Sequence, residues 1–204
     1  MIIIREVKSE EKKVIDEVVD IHLKTFQGFF LTFMGRGFLK QMYLSYCEHE
    51  ESGLLVAEED NKPLGFLAYS GDFSALFKDM INRKIVLFAW YSLGAFFRKP
   101  SAFMHIIRAF LKPNEVKRDE KYVELASIGV DPSYKMKGIG TLLINELKSK
   151  VDFSKYEYIA LETDAINNDA AIRFYEKNGF IEDRIYETNE GRKMIEFHYK
   201  GDKR

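Results

Sequence analysis

Cysteine is all but missing from this chain of 204 residues. Cys47 stands alone, which excludes an internal disulfide and a multi-cysteine zinc site and fits a reducing compartment. The four histidines, His22, His49, His105 and His198, are scattered without the spacing of a helical metal site, so no metal is expected. Charge of one sign is not in excess either. Its 31 basic and 32 acidic residues leave a formal net charge of -1, with no global electrostatic drive toward nucleic acid. The longest apolar stretch, Ile85 to Phe97, covers about 13 residues against the roughly 20 that span a bilayer, so no transmembrane segment is expected. The opening Met1-Ile-Ile-Ile-Arg5-Glu6 is too short for a signal-peptide core and has no preceding basic region; it reads as a first strand. Internal repeats and low-complexity tracts are also lacking. A cytoplasmic protein is the expectation.

What is present favours a folded domain. A hydrophobic fraction of 46% and an aromatic fraction of 14% are far from the composition of disorder, and the length suits a single domain, 1–204, with an insertion at 73–118. After the first strand, Ser9 can cap a helix with Glu10 and Glu11 in its first turn, and Val14, Ile15, Val18, Val19, Ile21 and Phe26 recur at helical spacing. The aromatic segment Gly28 to Gly35, then Phe38, Leu39, Met42, Tyr43 and Tyr46, predict a bent helical pair. Leu54 to Glu58 and Leu64 to Tyr69, parted by Glu59-Asp-Asn-Lys-Pro63, predict an antiparallel hairpin. From Phe73 to Arg118 the pattern is helical, interrupted by Gly94 and Pro100. Tyr122 to Val130 reads as a strand with strict period two, placing Glu124, Ala126, Ile128 and Val130 on one face. A glycine turn then leads to a helix with Ile139, Leu142, Leu143 and Leu147 on its buried side. Tyr158 to Thr163 is a strand, a helix begins near Asn168, and Phe180 to Thr188 and Lys193 to Tyr199 form a closing hairpin. This order predicts an α/β fold whose mixed sheet is flanked by helices.

The segment Ile128-Gly-Val-Asp-Pro-Ser-Tyr-Lys-Met-Lys-Gly-Ile-Gly-Thr141 runs from a strand through a glycine turn straight into a helix. The first amides of a helix lack intrahelical acceptors and carry partial positive charge, glycines admit a pyrophosphate closely, and Lys135 and Lys137 add charge. Alone, this is equally the signature of a tight turn. A dinucleotide fingerprint would need glycine where Leu143 stands, and the glycine-lysine-serine/threonine run of a nucleoside-triphosphatase loop is missing.

Downstream lies Asn167-Asn-Asp-Ala-Ala-Ile-Arg-Phe-Tyr-Glu-Lys-Asn-Gly-Phe180. With this second segment the chain resembles the GNAT superfamily of acyl-CoA N-acyltransferases. The family's loop pattern of glutamine or arginine, two residues, glycine, one residue, glycine or alanine falls on Lys135, Gly138 and Gly140. Its helical pattern falls on Asn168, Ala171, Tyr175, Gly179 and Phe180. Lys135 departs from the usual glutamine or arginine; it keeps a positive charge but loses the planar fork of arginine. The resemblance implies a GNAT-like fold, a mostly antiparallel mixed sheet of about seven strands with a helical insertion between the third and fourth, and acetyl-CoA as acyl donor. It implies that Ile128, Gly129 and Val130 meet the pantetheine arm where their strand splays from its neighbour. It also places Lys135, Met136, Lys137, Gly138, Ile139, Gly140, Thr141, Asn168 and Ala171 around the cofactor. Tyr175 becomes the implied general acid; Asn168, Ala171 and Tyr175 share a helix face, and a phenol is protonated at neutral pH, although core packing is the ordinary use of a helical tyrosine. Glu124 is the candidate base, with Glu58 and Glu59 as alternatives.

The insertion concentrates charge: from Ala75 to Arg118, nine basic residues against two acidic leave a local +7. With its aromatics this suits contact with an anionic membrane or a phosphorylated acceptor; a helical lid with a solvated basic face fits as well. The expected acceptor is a primary amine on a small molecule, an aminosugar being compatible with the basic insert. The sequence leaves the oligomeric state open, a homodimer included. The alternative function is a catalytically inactive CoA-binding or interaction module docked through the insert.

Overall fold

Alternation and burial set out a seven-stranded sheet in the order β1-β2-β3-β4-β5-β7-β6, seen in a computed structural model that describes residues 1–98, 120–135, 137–188 and 191–201. The strands are β1 (Ile3–Glu6), β2 (Ser52–Glu59), β3 (Lys62–Ser70), β4 (Tyr122–Val130), β5 (Tyr158–Asp164), β6 (Ile181–Glu187) and β7 (Lys193–Tyr199). All neighbours are antiparallel except β4 and β5, which run parallel, so the sheet is mixed and mostly antiparallel as the sequence suggests. The helices are α1 (Lys12–Thr25), α2 (Phe30–Met34), α3 (Arg36–Glu48), α4 (Phe73–Arg98), α5 (Ile139–Lys150) and α6 (Asp169–Lys177).

Each face of the sheet has its own core. On one face α1, α3 and α4 bury Ile15, Val18, Leu39, Tyr43 and Leu76 against Leu54, Val56, Phe66 and Ala68. On the other, Ile139, Leu143, Ile144 and Leu147 of α5 and Tyr175 of α6 meet Leu55, Leu67, Val123, Leu161 and Phe197. Strands β2 and β3 are covered on both sides, which is why their apolar runs are nearly continuous. Each fully buried leucine or phenylalanine here contributes roughly 1.5–3 kcal/mol of transfer free energy.

The β2–β3 turn holds Asp60 and Asn61 at φ 52° and 59°, two positive values in succession, which suit the twist of a two-residue hairpin and the left-handed tolerance of Asp and Asn. Three local expectations need correction. Ser9 does not cap α1; the helix starts at Lys12, and the Glu11 carboxylate instead accepts the Lys8 amide at 2.8 Å, reaching back to stop the preceding turn. Gly94 does not interrupt α4, which continues to Arg98, while Pro100 lies outside the described residues. In α5 the buried stripe takes Ile144, and Leu142 turns outward, 41% exposed.

Candidate active site

Strands β4 and β5 begin as a parallel pair and then part. Their register runs Tyr122↔Tyr158, Val123↔Ile159 and Glu124↔Ala160 and stops there. Strand β4 continues to Val130, held by β3, and β5 continues to Asp164, held by β7. From Leu125 onward the β5-facing edge of β4 therefore has no strand partner among the described residues, and its backbone groups are available to an extended ligand.

Within β4 the strict alternation breaks. Tyr69 pairs with Leu125 and Ala68 with Ser127, so Ala126 is an extra residue, a β-bulge. The bulge reverses the parity of the strand: Val123, Leu125, Ile128 and Val130 all pack with the α5 core. Glu124 and Ala126 face the opposite side. The expected sharing of one face by Glu124 and Ile128 is thus overturned by a single inserted residue.

On the α5 side, Asp131 accepts the Ser133 amide at 2.9 Å and pairs with Lys24 at 2.8 Å, bending the chain through Pro132–Tyr134. Both contacts hold the Asp131 carboxyl below its usual pKa, Lys24 first. The chain then enters α5 through Gly138, left-handed at φ 75° and ψ 5°, with only open space where a side chain would project. The first amide of α5 with a helical acceptor is that of Leu142, bonded to the Gly138 carbonyl at 3.1 Å, so the amides of Ile139, Gly140 and Thr141 precede the hydrogen-bond ladder. Lys135 and Lys137 are exposed beside them, and Lys137 Nζ stands 5.0 Å from the Tyr134 ring centroid. Met136 lies outside the described residues. Gly140 makes a different use of glycine, because a Cβ there would stand 2.9 Å from the Phe174 ring. Its absence lets α6 approach the start of α5.

Helix α6 carries Tyr175 inward, 9% exposed, beside Phe174, Phe180 and Phe197. Burial alone pushes its phenol up to about 12. Ala171 packs on the same core, as the i, i+4 relation requires. Asn168 spends its amide on Thr163 Oγ1 at 2.6 Å and the Asp164 carbonyl at 3.1 Å, which ties the β5–α6 connection to the end of β5.

On the other face, Glu124 and Ala126 line a cleft of about 110 Å³ whose walls are Leu31, Met42, Tyr46 and Phe73, closed by Leu76, Phe77 and Met80 of α4. The Tyr46 phenol is held well above its usual pKa, first by burial and then by the negative charge of Glu124.

A family model described as "Acetyltransferase (GNAT) family" matches residues 15–180, more than half of the chain. The chain belongs to the GNAT acetyltransferase family. Solved GNAT structures share its fold along nearly their whole length. The ribosomal-protein-S18-alanine N-acetyltransferase from Escherichia coli is 17% identical with a TM-score of 0.60, covering 100% of this chain and 96% of its own. NAA60 from Arabidopsis thaliana, solved with acetyl-CoA, is 17% identical with a TM-score of 0.57, covering 98% of each chain. A GNAT-family protein from Desulfovibrio desulfuricans is 17% identical with a TM-score of 0.62 over 98% of this chain and 99% of that one. Comparison with the curated proteins gives no match. The family makes this chain an acyl-CoA N-acetyltransferase in class; identities this low carry the fold and nothing about the acceptor.

Placed in the GNAT fold, the sequence-predicted residues fall into two groups. Ile128, Gly129, Val130, Lys135, Lys137 to Thr141, Ala171 and Tyr175 gather around the parting of β4 and β5, whereas Glu124 lies across the sheet from Ile128 and Val130 in the cleft closed by α4. Glu58 and Glu59 are committed elsewhere: Glu58 is buried against Arg5 at 2.9 Å and Glu59 receives the Met1 amine at 2.9 Å. Sequence reading missed a buried relay at the bulge. Ser127 is hydrogen-bonded to the Tyr43 hydroxyl, which lies 2.6 Å from His22 Nδ1. Burial lowers His22 to about 4, so the ring is neutral; Nδ1 is engaged by Tyr43, and Nε2 is buried without a partner among the described residues. The bulge itself had a legible trace, since the apolar positions run 123, 125, 128, 130, one step too long for strict alternation.

Among the described residues one set of side chains could gather around a metal: Asp183, Glu196 and His198 on the β6–β7 hairpin. Both ring nitrogens of His198 already face carboxylates, Nε2 to Glu196 at 2.7 Å and Nδ1 to Asp183 at 3.3 Å, and the second Glu196 oxygen takes Arg184 at 2.7 Å. The cluster is an internally paired charge network. No helix among the described residues is long and apolar enough to cross a membrane.

Proposed function

We propose that this GNAT protein is a single acetyl-CoA-dependent N-acetyltransferase domain, with residues 73–118 as an insertion, acting on a primary amine by direct attack. The observation that carries the reading is the parting of β4 and β5 after Glu124↔Ala160, with the open, left-handed Gly138 and three unladdered amides at its mouth. The fit to the donor is physical. An unpaired strand edge suits the amides of a pantetheine arm, and a glycine with empty space beside free helix amides suits a pyrophosphate. Acetyl-CoA supplies an acetyl group activated as a thioester.

The chain's own residues divide the remaining work. Main-chain groups of Ile128 to Val130 orient the donor arm, and an amide near Ile128 offers a hydrogen bond to the carbonyl oxygen as its charge develops. The amides of Ile139, Gly140 and Thr141, with Lys135, Met136, Lys137 and Gly138, bind the phosphates. Asn168 and Ala171 hold α6 against the site. Tyr175, neutral with its phenol near 12, donates a proton to the leaving thiolate. Glu124, at the floor of the opposite cleft, takes the proton of the amine, directly or through water. The largely apolar walls support an amine borne on an aliphatic or aromatic body more than the aminosugar that the basic insert suggests.

Isothermal titration with acetyl-CoA and an acetyl-transfer screen over amine classes, read as thiol release, test the proposal. Binding and turnover are expected. Absence of CoA affinity overturns the reading, and affinity without turnover over the whole panel supports an inactive CoA-binding module.

A further inference from the structure

Helix α4 offers an apolar face to water. Its inner side is well packed: Leu76 and Met80 are buried, the Phe88 ring lies 4.8 Å from that of Phe38, and Ser92 is buried with its hydroxyl on the Phe88 carbonyl. At about 100° per residue, Val86, Trp90 and Leu93 project within roughly 40° of the direction opposite Phe88. They are 77%, 68% and 43% exposed, and neighbouring Ile85 is 56% exposed. The outer face of a surface helix is ordinarily polar, yet no charged residue occurs between Ile85 and Phe97. A contiguous exposed apolar strip of this kind marks a contact surface.

Charge and geometry select the partner. Arg83, 67% exposed on an i, i+4 pair with Asp79, precedes the strip, while Lys84 turns inward to Glu48 at 2.7 Å; in the sequence, Ala75 to Arg118 holds nine basic and two acidic residues. Such a segment repels a second copy of itself and attracts a polyanionic surface. The apolar stretch is too short to cross a bilayer, and an indole within a segment of basic composition suits the headgroup boundary. We infer that the outer face of α4 docks along the surface of an anionic phospholipid bilayer, seating Val86, Trp90 and Leu93 at the acyl boundary with Arg83 among the phosphates. This inference does not rest on acyl transfer, since it concerns the side of α4 turned away from the core.

The chain carries its own reporter, because Trp90 is its one tryptophan. The full-length protein is titrated with vesicles of phosphatidylcholine alone and with vesicles containing an equal part of phosphatidylglycerol. Blue-shifted, quencher-protected Trp90 emission and co-flotation are expected with the anionic vesicles only, reversed by high salt. The double variant Val86→Glu, Leu93→Glu is expected to lose vesicle affinity at least about tenfold while keeping its melting temperature and acetyl-CoA titration. Emission already blue-shifted and protected without lipid at every protein concentration would mean that the chain covers this face itself, and overturns the inference. So does a blue shift that follows protein concentration with a doubled mass, which would identify a second copy, or emission indifferent to both vesicles. The wild-type fluorescence decides the matter even where the double variant fails to fold.

Discussion

Glu124 and Ile128, four residues apart in one strand, lie on opposite faces of the sheet. The unpaired Ala126 between them is the cause, and its effect is that one strand turns a carboxylate into the cleft beside α4 and leaves an open backbone edge beyond Glu124, the two tasks that the proposed function assigns it. Glu124→Gln is therefore expected to lower kcat by about 10²–10⁴-fold, the range for a lost general base, with acetyl-CoA affinity unchanged. Thiol-release kinetics beside isothermal titration measure both. A parallel loss of donor affinity would instead make Glu124 a support of the strand opening.

Gly138 and Gly140 sit two residues apart and should respond differently to the same methyl group. At Gly138 the space is open but φ is 75°, so Gly138→Ala costs about 1–2 kcal/mol of left-handed strain and shifts the amides that follow. Acetyl-CoA affinity is expected to fall. At Gly140 the backbone is ordinary helix and the obstacle is the Phe174 ring at 2.9 Å, so Gly140→Ala should disturb the seating of α6. Trimming the obstacle, as in Gly140→Ala, Phe174→Leu, should recover part of that loss, whereas Phe174→Leu should do nothing for Gly138→Ala. Melting temperatures and acetyl-CoA titrations of the five variants form the two double-mutant cycles that check this.

Most of the framework was legible because it rests on local pattern. The alternation in β5, the helical spacing of α1 and α3, the Asp60-Asn61 turn and the strand-turn-helix entry at Gly138 each declare themselves within a few residues. What stayed hidden depends on partners far away in the chain. The bulge at Ala126 arises from pairing with β3, some sixty residues earlier, and Ile144 replaces Leu142 in the core because of where α5 lies on the sheet. The relay from Ser127 through Tyr43 to His22 joins three elements that no sequence spacing connects. The two segments around Gly138 and Tyr175 suggested a donor side, but the cleft beside Glu124 is assembled from α2, α3, α4 and β4 and has no contiguous signature.

Tyr175→Phe separates proton donation from packing. The hydroxyl makes no hydrogen bond among the described residues, and burial is the one cause of its raised pKa, so phenylalanine fills the same space without orphaning a partner. The melting temperature is expected to stay within about 2 °C of wild type, while kcat drops about 10²-fold or more and acetyl-CoA affinity holds. Because the phenol titrates near 12 rather than 10, wild-type activity should show no alkaline decline attributable to Tyr175 below about pH 11. A variant with unchanged kcat would return Tyr175 to the core.

His22 gives the fold a specific sensitivity to acid. In the folded protein its pKa is about 4, against an ordinary value of 6.5, because burial disfavours the charged ring. Between those values the unfolded chain binds the proton and the folded chain does not. Stability is therefore whole above 6.5 and is lost as the pH falls toward 4, by about 3 kcal/mol when the difference is fully expressed. His22→Asn keeps a hydrogen-bonding group near Tyr43 but cannot titrate. Urea unfolding at neutral pH and near pH 4 should find the variant weaker than wild type at neutrality, from lost packing against Phe26 and Phe66, yet with a smaller loss on acidification. Equal acid losses in the two proteins would place the sensitivity in the carboxylates that titrate over the same range.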